Sequence, residues 1–109
     1  MSAKYSSTVS FLSQQCDGWI VGSAADPQNS DPRDIDIIIP FSKWHVALGA
    51  LPKDRSKIKV NTYGGFKFDD ENGIEIDMWT GEFNTILTYH GVKWIYNPWN
   101  NIRFKKDID

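Results

Sequence analysis

The chain has a single cysteine, two histidines and two methionines among 109 residues, and each scarcity removes a class of chemistry. A lone Cys16 forms no internal disulfide, so redox chemistry is not expected and Cys16 reads as helix packing. His45 and His90 have no partner at metal-ligand spacing, and neither Cys-x-x-Cys nor His-Glu-x-x-His occurs. Zinc is therefore not expected. A Walker lysine loop, a Gly-x-Ser-x-Gly elbow and a cysteine with a triad context are also missing. No apolar run approaches the ~20 residues of a membrane span, and MSAKYSSTVSF at the start has no segment of signal-peptide length. These absences lead to the expectation of a cytoplasmic protein with no membrane partner.

What is present is the composition of one folded domain covering residues 1–109: 40% hydrophobic, 14% aromatic and 24% charged, enough apolar mass for a real core. The formal net charge is -2, unevenly placed. Arg33 to Lys67 carries seven basic and three acidic residues, whereas Asp69 to Glu82 carries six acidic and no basic ones. Such a split suits an anionic ligand held beside a cation, against the plainer reading of a solvated surface.

Tyr5, Val9, Leu12 and Cys16 recur at helical spacing, so a first helix should close near Asp17-Gly18. Trp19 to Gly22 reads as a short strand. Asp34 to Ile39 reads as a second, nearly continuous in isoleucine as a strand buried on both faces would be, and stopped by Pro40. Trp44, Leu48 and Leu51 predict a helix over Ser42 to Leu51, with Ser42 as its cap. Alternation in Ile58, Val60 and Thr62 and in Ile74, Ile76 and Met78, with DDENG between the runs, predicts a hairpin whose first strand carries a bulge at Gly64-Gly65. Phe83, Ile86, Leu87 and His90 suggest a third helix, and KWIYNPWNNIRFKK a terminal hairpin turning at Asn97 to Asn101. The expected fold class is α/β (α+β): a mixed, mainly antiparallel sheet with helices on one face.

Two aspartates stand in the isoleucine strand. Side chains alternate along a strand, so Asp34 and Asp36 share a face with Cα atoms ~6.6 Å apart, twice the strand rise. Carboxylates among isoleucines are costly unless a cation neutralises them. Mg²⁺ is commonly held by one or two carboxylates together with substrate phosphates, so the pair implies a phosphate-bearing ligand. On the later strand Ile74, Ile76 and Met78 share one side, which puts Asp77 and Trp79 on the other. Gly22 and Ser23 fall where a strand meets a loop; the glycine allows close backbone approach, and the hydroxyl and nearby amides can contact phosphate oxygens.

Gly22-Ser23, then Asp34-x-Asp36, then Asp77 on a later hairpin strand resembles the nucleotidyltransferase superfamily of DNA polymerase beta. The resemblance covers Trp19 to Trp79. It implies a small mixed sheet with helices on one side and transfer of a nucleoside monophosphate to a hydroxyl, with two Mg²⁺ ions, or Mn²⁺ in their place. By the same resemblance Gly22 and Ser23 hold the triphosphate, Asp34 and Asp36 the metals, and Asp77 the metal that activates the acceptor. Arg33 and Lys43, near the motif, are further candidates for nucleotide contact. The partners it implies are a nucleoside triphosphate such as ATP and an acceptor, either nucleic acid such as tRNA, a small molecule or a protein. The stretch Ala24-Ala25-Asp26 departs from two relatives: minimal toxin-antitoxin nucleotidyltransferases have an arginine soon after Gly-Ser, and the CCA-adding head domain has Val-Arg-Asp after Gly-Gly. NTYGGFKFDDENGIEIDMW also looks like stand-alone nucleotidyltransferase-like proteins of the kind phages encode.

Other readings stay open. The three aspartates could be strand-end acids facing water or one structural Ca²⁺ site. The same fold could be a catalytically silent module that binds a nucleotide or a protein, or an enzyme that modifies a protein hydroxyl. Lys53, Arg55, Lys57 and Lys59 could attract a phosphate backbone, although so short a run is usually a solvated connector. Trp79 and Tyr63 are the aromatics best positioned for base stacking, with core packing as the simpler reading.

Overall fold

The computed structural model describes residues 5–29 and 31–81, together with the backbone of three further strands at 88–89, 92–97 and 102–107. Helix α1 (Ser7–Gln14) begins where Ser6, extended at φ -73° and ψ 169°, accepts a hydrogen bond from the Val9 N–H on its side chain. A second cap comes from far along the chain: Glu71 accepts from both the N–H and the hydroxyl of Thr8. Eight residues make a marginal helix alone. Two caps and the burial of Val9 and Leu12 hold it.

Strands β1 (Trp19–Val21), β2 (Asp34–Ile39), β3 (Lys59–Val60), β4 (Phe66–Asp69), β5 (Glu75–Thr80), β6 (Thr88–Tyr89), β7 (Val92–Asn97) and β8 (Ile102–Asp107) form one sheet. Its path runs β3-β4-β5-β2-β1-β7; β8 pairs along the length of β7, and the short β6 pairs with the opening of β7. Among the described pairs only β2 with β5 is parallel. The segment between them includes the short helix α2 (Trp44–Ala47), with a 3₁₀ turn on each side of it at Phe41–Lys43 and Leu48–Ala50.

The two sheet faces differ. Ile20, Ile35, Ile37, Ile39, Phe68, Ile76 and Met78 pack with Val9 and Leu12 of α1 and Ala47 of α2, so both helices cover one face. Trp44 of α2 also stacks on Phe66 of β4, ring centroids 6.1 Å apart. Val21, Ile38 and Trp79, with Trp19 against them, form a smaller cluster on the opposite face. This is the expected mixed, mainly antiparallel sheet with helices on one face. Among the described residues no helix is long and apolar enough to cross a membrane.

Several local expectations are corrected. Ser42 caps nothing: the residue before α2 is Lys43, with no side-chain cap bond. Gly64-Gly65 is not a bulge inside one long strand but part of a tight turn between β3 and β4, closed by the Asn61 side chain accepting from the N–H groups of Tyr63 and Gly65. The hairpin across DDENG therefore joins β4, not β3, to β5. A glycine is required at 65, because a Cβ there would stand 1.9 Å from the Met78 carbonyl oxygen. Thr88–Tyr89, expected at the end of a third helix, is strand β6; the rest of that helix lies outside the described residues. The terminal hairpin is present as β7 and β8.

Candidate active site

The face of the sheet turned away from the helices carries the acids, and the pairing register arranges them. Asp36 of β2 lies directly beside Asp77 of β5, and Asp34 beside Glu75. The next strand continues both rows: Lys67 of β4 is level with Asp77, and Asp69 with Glu75. Beyond it Lys59 is level with Lys67. One row across four strands thus reads Lys59, Lys67, Asp77, Asp36, and Val21 of β1 closes it. Neighbouring strands are ~4.8 Å apart, so Asp36 and Asp77 are within reach of one shared ion.

Burial and like charge make Asp36 the stressed member. Loss of hydration, then the charges of Asp77 and Asp34, push its carboxyl up to about 7, with Glu75 adding to the effect and Lys67 opposing it. The remedy within the chain is weak, because the ion pair of Lys67 is with Glu75, Nζ to Oε1 3.8 Å. Asp77 instead accepts a hydrogen bond from the Asn61 side-chain amide, whose same nitrogen also donates to the Met78 carbonyl.

Gly22 and Ser23 open a 3₁₀ turn, Gly22–Ala25, immediately after Val21, the partner of Asp36. Gly22 has φ 70°, a conformation that favours glycine. The Ser23 carbonyl accepts from the Asp26 N–H and the Asn29 side chain, which folds the loop back on itself. The chain thus turns at the end of the sheet where Asp34 begins β2. Arg33 is exposed at that same end, and its carbonyl accepts from the Glu75 N–H.

Lys43 is not brought to this group. It follows the far end of β2, and its charge acts on the buried Cys16 thiol, whose pKa burial raises and Lys43 partly lowers. Trp79 and Tyr63 stack on one another, centroids 4.6 Å apart; Trp79 is buried among Val21 and Ile38, so packing accounts for it, while Tyr63 lies half-exposed against it. Of the basic connector, Lys57 and Lys59 join Lys67 along a groove of about 600 Å³ at the β3–β4 edge, facing Asp69, Glu71 and Glu75. Asn61 drew no attention in the sequence; an asparagine just before Thr-Tyr-Gly-Gly signals a turn, and nothing local says that it reaches Asp77.

The donor set suits a hard divalent cation. The aspartate oxygens are hard ligands, and the charge crowded around Asp36 is what a cation would relieve. Among the described residues no group of three such side chains is disposed to cage an ion unaided. Mg²⁺ commonly takes one or two carboxylates and completes its shell with water and phosphate. Comparisons of the chain with family models, curated proteins and solved structures find no match.

Proposed function

We propose that the protein is a Mg²⁺-dependent nucleotidyltransferase, moving a nucleoside monophosphate from a triphosphate to a hydroxyl of a nucleic-acid, small-molecule or protein acceptor. The observation that carries this reading is the register of the parallel pair β2 and β5, which sets Asp36 abreast of Asp77 with Asp34 on the same face, next to the Gly22-Ser23 turn. Asp34 and Asp36 would hold the cation that accompanies the triphosphate. Asp77 would complete the position beside the acceptor hydroxyl. When bound, Mg²⁺ or Mn²⁺ would supply neutralisation of the phosphate charge and a lowered hydroxyl pKa. Gly22 lets the backbone approach phosphate closely, Ser23 offers a hydroxyl, and Arg33 stands at the same end for an outer phosphate. The acceptor oxygen would bond to the α-phosphorus as the bond to the bridging oxygen breaks and pyrophosphate leaves. The protein's part is chiefly positioning and charge balance.

Calorimetry of nucleotide binding beside a transfer assay, with each triphosphate and with tRNA, oligonucleotide and protein acceptors, tests the reading on three variants. Asp34→Asn and Asp36→Asn should weaken Mg²⁺-nucleotide binding and abolish transfer. Asp77→Asn should keep binding within a few-fold while transfer falls by ~10² or more, the scale of losing one stabiliser of a transition state. Equal loss of binding in all three, with no transfer by the parent protein, would leave an ion-binding module without catalysis.

A further inference from the structure

We infer that Asn61 is a positioning residue for the cation site, holding the Asp77 carboxylate in place through a neutral donor; the inference rests on the nucleotidyltransferase reading of that carboxylate. The Asn61 amide serves both its own turn and the strand two places along the sheet. Its oxygen accepts from the Tyr63 and Gly65 N–H groups, at 3.0 and 2.7 Å, and closes the β3–β4 turn. Its nitrogen crosses to β5, donating to Asp77 Oδ1 and to the Met78 carbonyl oxygen at 3.1 Å, and makes a longer contact of 3.4 Å with the Phe66 carbonyl oxygen at the start of β4. The turn is closed by the oxygen, by the Phe66 contact and by the backbone bond from the Asn61 N–H to the Gly65 carbonyl. The contact with Asp77 is additional, and it fixes one carboxylate oxygen on the side away from β2.

The choice of donor matters. Lys67 is the residue level with Asp77 on β4, yet its ammonium pairs with Glu75. An ammonium on Asp77 would compete with a cation for the same charge, whereas an amide N–H orients the carboxylate and leaves its charge to be met by the ion. The close seat of the turn serves the same end, since Gly65 lies so near the Met78 carbonyl that no side chain fits between them. The turn therefore delivers the amide to Asp77 at a fixed height above β5.

Mn²⁺ titration followed by electron paramagnetic resonance, on the full chain without nucleotide, measures the effect in a double-mutant cycle of Asn61→Ala and Asp77→Asn, with melting temperatures taken alongside. Asn61→Ala should weaken Mn²⁺ binding about tenfold when Asp77 is present, as loss of a ligand-orienting partner does. In the Asp77→Asn background the same substitution should change affinity by less than about twofold, the residual of an uncoupled pair. Equal weakening in both backgrounds would reduce Asn61 to a turn cap and overturn the inference. Unchanged affinity in Asn61→Ala would overturn it too while leaving the nucleotidyltransferase reading intact. No Mn²⁺ binding by the parent protein without nucleotide would overturn the inference and leave the nucleotidyltransferase reading to the transfer assay, since in that reading phosphate completes the shell of the ion. Should Asn61→Ala fail to fold, the side-chain amide resonances of Asn61 in the parent protein decide: they should shift on Mg²⁺ addition, and should not in Asp77→Asn. Resonances that ignore Mg²⁺ in a parent protein that binds it would overturn the inference.

Discussion

Asp36 carries the clearest physical consequence at the scale of a residue. Its folded-state pKa of about 7 stands above the ordinary carboxylate value because burial and then Asp77 and Asp34 disfavour its charge. Between roughly pH 4 and 7 the folded protein therefore holds a proton that the unfolded chain has lost, and stability falls as pH rises through that window. Asp36→Asn should remove this slope and stabilise the protein above pH 7 by about 2 kcal/mol, a figure already reduced for partial solvation. Urea unfolding at pH 5 and pH 8 checks it; a variant with an unchanged pH slope would show that Asp36 is not the strained group. The same residue predicts that Mg²⁺ raises the melting temperature more at pH 8 than at pH 5.5, because the ion binds the ionised form.

Helix α1 and the β3–β4 turn show how elements are held by residues distant in sequence. Burial pushes the Glu71 carboxyl up, but the Thr8 N–H and the hydroxyls of Ser6 and Thr8 outweigh it and leave the pKa lowered. A lowered carboxyl contributes stability that is present above its unfolded pKa and lost as pH falls through the folded one, the opposite sense to Asp36. Glu71→Gln should lower stability by about 0.5–1 kcal/mol at neutral pH, as loss of a negative charge near a helix N-terminus does, since the amide oxygen can still accept from Thr8. The deficit should shrink on acidification; a deficit constant from pH 7 to pH 3 would mean that charge plays no part. At the turn, Gly65→Ala should cost more than about 3 kcal/mol, because the added Cβ meets backbone that has no room to give. Chemical denaturation of that variant gives the number, and a loss below about 1 kcal/mol would show that the turn yields instead.

Over the whole molecule, the parallel β2–β5 contact and the β1–β7 contact join segments far apart in the chain into one sheet. A ligand that neutralises the acid row should therefore stabilise the entire fold by mass action. Mg²⁺ with a nucleoside triphosphate should raise the melting temperature more than either alone, and no shift at millimolar ligand would count against the site. The groove at the β3–β4 edge offers a separate test. Of its acids, Glu71 is engaged by Thr8 and Glu75 by Lys67, whereas no ion pair involves Lys57 or Lys59 among the described residues. If a single-stranded nucleic acid passes there, changing Lys57 and Lys59 to Gln should flatten the salt slope of binding by ~0.7 for each phosphate that is no longer neutralised. An unchanged slope would return both lysines to the solvated surface.

Periodicity alone was enough to place Asp34 and Asp36 on one face, Asp77 on the face opposite Ile76 and Met78, and α1 against the sheet, because side-chain direction within a strand or helix is a local property. The terminal hairpin and the Asp70–Gly73 turn were equally readable from their turn residues. Which strands meet, and at what height, was not. Alternation in Ile58, Val60 and Thr62 suits β5 as well as β4; the turn closed by the Asn61 side chain, taking the N–H groups of Tyr63 and Gly65, and by the backbone bond from the Asn61 N–H to the Gly65 carbonyl ends β3 after Val60 and lets Phe66–Asp69 become the neighbour of β5. Lys43 lies within ten residues of Asp34 in the chain, yet an extended strand carries it to the far end of the sheet, while Asn61, sixteen residues before Asp77, touches it. Sequence distance measures reach along the chain; the neighbours of a carboxylate are set by strand order and register, which the packing of the isoleucine face against α1 and α2 decides for the molecule as a whole.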